Sequence, residues 1–472
     1  MLMWALHWYE RSTPTPTATP TPTATLTATP TPSFTPNSTP TLDLYPPLAG
    51  WPQSASGGFT SSAAVADLDG DGARELVIGA VDGRVLVYRP DGGVKASLTT
   101  GGPVHSSPAL VDLDGGGGME IVIGSSDRRL YIWNPMEEKA RAFDLRQAAF
   151  RPSEEAHWRN VAEAAVSTLP ASGELVASPA VADLDGDGSL DLVIGDTAGY
   201  LWAVNPVSGV LAGWPITATE PIRSSAALAD LDLGGGMDVI FGGEDSFVHA
   251  HNSTGVTLFG FPLQTQNLIV SSPVLVNLNG DAFPEIVIGG RDAYLYGLAW
   301  TGRFLSGWPV KTSRHVPGSG FDGSPAVADL SGDGAVDVVL GNLKGIVAAW
   351  RADGSLLWEA DFGADVAFRA SPVVGDIDGD GKLEVVIGGL DGRLYALEGE
   401  SGAMTAGFPR PMDGPIEAGA TLADVDGDGD LDIIVGTPGG LHILDAPGLD
   451  LPGRAPWPRF RADNRNTGVP AP

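Results

Sequence analysis

At 472 residues the chain exceeds what one hydrophobic core usually supports, so it forms several domains, one large barrel-like domain or a repeat array. Its 64 glycines and 38 prolines beside 43% apolar residues favour a packed, turn-rich all-β array, and a formal net charge of −31 argues against nucleic acid or anionic membrane as partner and for cations. With no cysteine there is neither a disulfide framework nor a thiolate metal site, and the thiols leave the compartment unread.

Met1 to Tyr9 is apolar but too short to cross a membrane, and it lacks the basic and apolar regions of a secretion signal. Residues 1–10 therefore read as a truncated or misplaced start, with no signal peptide evident. No later stretch reaches the length of a membrane span, so no transmembrane segment is expected. Residues 11–42 are almost wholly Thr, Pro, Ser and Ala, which cannot bury a core. At about 3.1 Å per residue they would extend to roughly 90 Å. This composition suits a disordered stalk that holds an extracellular domain off a surface, with hydroxyls open to O-glycosylation, or a disordered tail without a role.

From residue 43 to 468 the chain repeats, and the marker is an Asp-rich loop. Its first residue falls at Asp67, Asp112, Asp183, Asp230, Asn277, Asp329, Asp376 and Asp424, at spacings of 45, 71, 47, 47, 52, 47 and 48 residues. Seven near-constant steps imply eight units, the long step carrying an insertion within about 136–169. In each unit a short apolar run leads into the loop, and a β-branched run such as Glu75 to Gly79 leaves it. A Gly-containing turn and a third strand such as Arg84 to Tyr88 follow. Many units add a segment marked Gly-Trp-Pro or Gly-Phe-Pro, at Gly213, Gly260, Gly307 and Gly407, and proline there suits an outer edge strand. Four short strands in about 47 residues make a propeller blade, so the expected fold is an all-β propeller of eight four-stranded blades, with the loops between the first two strands.

The loop Asp67-Leu68-Asp69-Gly70-Asp71-Gly72-Ala73-Arg74-Glu75 sets carboxylates at positions 1, 3, 5 and 9, and the Ala73 carbonyl can add a ligand. Alternate hard oxygens on a curled loop converge on one point and select calcium over zinc. Complete sets recur as Asp183, Asp185, Asp187 and Asp191; as Asp376, Asp378, Asp380 and Glu384; and as Asp424, Asp426, Asp428 and Asp432. Two loops are partly degraded: Asp329, Ser331, Asp333 and Asp337 in one, Asn277, Asn279, Asp281 and Glu285 in the other. The weakest sets are Asp112, Asp114 and Glu120, and Asp230, Asp232 and Asp238, where glycine holds position 5. Affinity should fall in that order. An EF-hand is argued against by Ile78 at position 12 and by strand sequence on both sides. Acidic turns without a cation are the plain alternative, against which stands the mutual repulsion of converging carboxylates.

Within the insertion, Phe143 to Val166 shows helical apolar spacing, and it contains His157 and Trp158. His249 and His251 share a strand face, and packing is the favoured role for both. The Trp of each Gly-Trp-Pro motif is expected to pack between blades, an exposed sugar-stacking face being the alternative. Ring closure has two contenders for the last outer strand, Gly50-Trp51-Pro52 and Trp457-Pro458, and 469–472 is a short tail.

At the acidic loops the sequence resembles the FG-GAP family, the repeats of integrin-like propellers, in its bacterial secreted or surface form. The Asp-x-Asp-Gly-Asp-Gly-x-x-Asp/Glu loop before a Val-Ile-Gly strand carries the resemblance, whereas literal Phe-Gly and Gly-Ala-Pro elements are mostly missing. The ending Trp457-Pro458-Arg459-Phe460 with Asn466-Thr467-Gly468 is similar to one common in bacterial FG-GAP and quinoprotein-like propellers. The resemblance implies a non-catalytic, calcium-stabilised, monomeric scaffold at the cell surface or outside it, binding an unidentified protein or glycan. A polysaccharide lyase and a quinoprotein-like dehydrogenase are the enzymatic alternatives.

Overall fold

The computed structural model describes residues 43–136, 139–144, 173–449 and 455–470. The expected N-terminal segment, the Thr/Pro stretch, His157 and Trp158 lie outside the described residues. The described residues contain strands and turns but no helix, arranged as eight blades in a ring.

In blade 1 the strands Ala64–Ala66, Glu75–Gly79, Arg84–Tyr88 and Val94–Thr99 pair antiparallel in chain order. The inner strands of blades 2 to 8 are Ala109–Val111, Ala180–Ala182, Ala227–Ala229, Val274–Val276, Ala326–Ala328, Val373–Gly375 and Thr421–Ala423. Lys139–Asp144, inside the span expected to be inserted, is the outer strand of blade 2.

Second strands such as Glu75–Gly79 and Asp191–Gly195 are buried at every residue, because neighbouring blades cover both faces. That is why they read as unbroken apolar runs, without the alternation of a half-exposed strand. The core is a set of wedges between blades: Val77 and Val85 of blade 1 pack with Ile121 and Tyr131 of blade 2, and Leu76 and Ile78 pack with Ile434 and Ile443 of blade 8. Each fully buried Val, Leu or Ile contributes about 1.5–3 kcal/mol. The glycine closing each second strand meets the next blade. A Cβ at Gly242 would lie 2.3 Å from the Ile269 side chain, and one at Gly388 2.2 Å from Ile416.

The Gly-Trp-Pro segments interrupt the outer strands. In blade 3 the outer edge is split into Gly209–Val210 and Ile216–Thr217, both on Tyr200–Asn205. Gly213 turns between them at φ 89°, where a Cβ would lie 2.0 Å from the Thr254 carbonyl oxygen. Trp51, Trp214 and Trp308 are buried, and each indole N–H donates into the next blade, to Pro90, Ser253 and Ala352 carbonyls at 2.9, 2.8 and 3.0 Å. These tryptophans therefore fasten blade to blade and present no free sugar-stacking face.

The two contenders for ring closure serve different ends of blade 8. Residues 46–53 supply its outer strand, with Leu48 N–H donating to Ile443 O at 2.9 Å and Leu441 N–H to Gln53 O at 2.7 Å. The C-terminal segment instead runs along the inner strands. Val374, Leu422, Leu110, Val181, Leu228 and Leu275 donate backbone N–H bonds of 2.7–3.1 Å to carbonyls of Trp457, Pro458, Asn464, Arg465, Thr467 and Gly468. Arg459 and Arg461 are buried at the centre. Arg459 donates to Pro108 O, and Arg461 donates to Ala226 O and Pro273 O. Burial lowers both guanidinium pKa values, and Asp463 opposes that shift.

Just before the inner strands lies a ring of serines: Ser62, Ser107, Ser178, Ser225, Ser272, Ser324 and Ser371, with Gly419 in the eighth place. From Ser62 to Ser324 each backbone N–H donates to the Oγ of the next serine in the ring, at 2.8–3.0 Å.

Candidate metal loops

Because each acidic loop joins an inner strand to a second strand, all eight open on the same face of the ring, at the opposite end of the inner strands from the serines. The loop fold follows from its own carboxylates. In loop 1 Asp67 accepts N–H bonds from Gly70 and Gly72 at 2.7 and 2.9 Å, Asp69 from Asp71 at 3.3 Å, Asp71 from Ala73 at 2.8 Å, and Glu75 from Leu68 at 2.9 Å. Each acid after the first thus uses one oxygen to shape the loop and keeps the other for the centre.

The same scheme recurs. Asp183 holds Gly186 and Gly188, Asp376 holds Gly379 and Gly381, and Asp112 holds Gly115 and Gly117. Asp424 holds Gly427, and the ninth-position acids Asp191, Glu384, Asp432, Asp238, Glu120 and Glu285 each accept the N–H of the second loop residue. In the sixth loop Asp329 holds Asp333 and Gly334, while Asp337 takes the N–H of Ser331. Ligand atoms lie within 4.8 Å of one another in the sets Asp67, Asp69, Asp71; Asp112, Asp114, Glu120; Asp183, Asp185, Asp191; Asp230, Asp232, Asp238; and Asp376, Asp378, Glu384. These clusters could hold metal ions.

What faces the inner oxygen of the ninth acid differs between loops. In loop 1 the Lys95 ammonium, from the outer strand of the same blade, sits 2.6 Å from Asp69 and 2.7 Å from Glu75. In loops 2 and 3 the amides of Asn134 and Asn205 donate to Glu120 and Asp191, both at 2.9 Å. In loop 5 the Asn279 amide donates to Asp281 at 3.0 Å and to Glu285 at 2.7 Å. In loops 6 and 7 the buried Asp337 Oδ1 and Glu384 Oε1 have no donor, and the same holds for Asp230 Oδ1 in loop 4.

Two residues unrecognised in the sequence deepen this contrast. Glu398 lies directly across the strand pair from Glu384, and Asp445 across from Asp432. Burial, reinforced by Asp378, Glu398 and Asp376, pushes the Glu384 carboxyl up to about 8. Burial, reinforced by Asp426, Asp430 and Asp445, does the same to Asp432. Burial, reinforced by Asp232 and Asp230, raises Asp238 to about 6. Buried acids held this far above their ordinary range ask for protons or for a cation. The donor set, all hard oxygens with buried atoms that no N–H satisfies, fits calcium.

The histidines resolve differently. His249 is buried, stacked on Phe241 at 4.6 Å, and bonded to Asp245 at 3.0 Å. Tyr131, Trp202, Tyr296 and Tyr395 make the equivalent bond to Asp127, Asp196, Asp292 and Asp391 in other blades. The His249–Asp245 pair is thus one variant of a repeated hairpin clasp. His251 bonds the Gly255 carbonyl, and burial lowers its pKa.

A family model described as an FG-GAP-like repeat matches residues 332–387 and 376–435, which span loops 7 and 8. No curated protein matches the chain. Among solved structures, the biofilm matrix protein Bap1 of V. cholerae aligns at 13% identity over 91% of this chain and 97% of its own, with a TM-score of 0.57. The computationally designed Ika8 protein aligns at 16% identity over 84% and 99%, with a TM-score of 0.56. The quinohemoprotein alcohol dehydrogenase of Comamonas testosteroni aligns at 12% identity over 87% and 77%, with a TM-score of 0.57. At such identities the likeness concerns the fold alone. Eight blades, an acidic loop between the first two strands of each, and the repeats matched over residues 332–435 together support an FG-GAP-type β-propeller.

Proposed function

We propose that the protein is a non-catalytic extracellular or cell-surface scaffold, a propeller stabilised by calcium in its acidic loops, that binds a protein or glycan partner. The buried carboxylate oxygens of Asp337 and Glu384, which no donor satisfies, carry this reading. An ion there would replace several like-charge repulsions with attractions and would stabilise the folded ring by mass action. Extracellular modules bind calcium at roughly 10⁻⁴ to 10⁻³ M, the regime such partly exposed loops suit. The Thr/Pro stretch before the ring and the fold shared with a biofilm matrix protein support an outside location. No helix among the described residues is long and apolar enough to cross a membrane.

Elemental analysis after equilibration in millimolar calcium and desalting tests the metal assignment. About four to six calcium ions per chain are expected, with loops 7 and 8 filled first. A metal-free protein under those conditions would remove the proposal.

A further inference from the structure

The face opposite the acidic loops holds a funnel on the ring axis, with a cavity of about 160 Å³ that ends on Phe460 of the C-terminal segment. All seven serines of the ring line it, and each is at least nine-tenths buried. Six of them spend an Oγ lone pair on a neighbouring backbone N–H, yet among the described residues none of the seven hydroxyls has an acceptor for its own hydrogen. Seven serine hydroxyls therefore surround one cavity with no acceptor among the described residues, and they are free to donate to a ligand or to water.

Two residues before each ring position lies a mouth residue that differs from blade to blade, so the scaffold repeats while its opening does not. Arg223 and Arg369 stand there in blades 4 and 7. Arg223 Nε donates to Glu244 at 2.8 Å and Arg369 Nε lies 3.5 Å from Asp322, and among the described residues the terminal N–H groups of both have no hydrogen-bond acceptor. Asp322 is already held by two bonds from Arg291, at 2.7 and 2.8 Å. Glu417 at the same mouth is exposed and has no ion-pair partner among the described residues, an acceptor for hydroxyls.

Size narrows the occupant. A cavity of about 150 Å³ accommodates a benzene ring, so this space takes one six-membered ring and is too wide to be filled by a simple ion. A wall of hydroxyls with one aromatic floor suits a polyol ring, and two arginines with free forks suit a carboxylate. We propose that the funnel binds a single hexuronic-acid residue, its carboxylate on Arg369 or Arg223 and its hydroxyls on the serine ring. This deepens the scaffold reading by naming a glycan class, and it does not depend on the metal loops.

Isothermal titration of D-glucuronate, D-glucose and sulfate into the calcium-loaded full chain tests it, with metal content measured on the same sample so that the two proposals fail separately. One-to-one saturable binding of glucuronate is expected, with glucose about tenfold weaker for lack of the charged contact. Arg369→Ala should bring glucuronate toward the glucose level. Val270→Trp, which fills the mouth without touching a ring hydrogen bond, should abolish binding while the melting temperature stays unchanged. No saturable binding of glucuronate, undiminished binding in Val270→Trp, or sulfate binding as tightly as glucuronate would overturn the assignment.

Discussion

The acidic loops differ at the inner oxygen of the ninth acid, which meets Lys95 in loop 1, an asparagine amide in loops 2, 3 and 5, and no donor in loops 6 and 7. The loop that reads best in sequence, Asp67 to Glu75, is the one whose centre is shared with Lys95. Lys95→Ala is expected to cost about 1–3 kcal/mol in chelator, by leaving Glu75 buried without its partner, and to strengthen calcium binding at that loop. Calorimetric titration reads both effects, and unchanged affinity would contradict them. Glu384→Gln keeps an oxygen for the Ile377 N–H but removes a buried charge facing Asp378 and Glu398. Its effect should reverse sign with metal: stabilising in chelator at pH 8, on the order of 2 kcal/mol, and destabilising in calcium. Glu384 and Asp432 have folded pKa values near 8, above their unfolded values of 4.5 and 3.8, so the folded state holds the extra protons. Stability of the metal-free ring should therefore fall as pH rises from 6.5 to above 8. His105 and His251, lowered by burial from 6.5, act in the opposite sense only below that window. Calcium should flatten the slope, and a metal-free midpoint that rises with pH across the same window would contradict the account.

At the scale of strands and loops, the repeat spacing was legible because each blade needs the same loop, turn and glycine at the same step. Inner, second and third strands fall where the apolar and β-branched runs predict them. The outer strands were less legible: Lys139–Asp144 carries charged residues at an edge and reads as insertion, since an edge strand has only one neighbour to satisfy. Cross-strand partners such as Glu398 and Asp445 escaped notice because register is not visible in spacing alone. The serine ring was equally hidden, its members being unremarkable until the fold brings them around one axis. The glycine closing each second strand has a definite cost attached. Gly242→Ala would drive a Cβ into Ile269 and should destabilise the ring by about 1–3 kcal/mol, measured by chemical denaturation. A neutral result would mean that adjacent blades are not packed as closely as described.

For the whole molecule, closure depends on both chain ends. Residues 46–53 complete blade 8, and 457–468 tie together the inner strands of most of the others. Removing residues 43–53 should leave the strand Leu441–Leu449 as an open edge and shift the protein to larger, aggregated species on size-exclusion chromatography. The net charge of −31 is the other whole-molecule fact, and eight divalent ions would offset about half of it. Whether calcium holds the ring is tested most directly by thermal unfolding of the full chain in millimolar calcium and again in excess chelator. A midpoint raised by calcium, and rising further with its concentration, is the predicted result. Superimposable transitions in the two conditions would show that the acidic face folds without an ion.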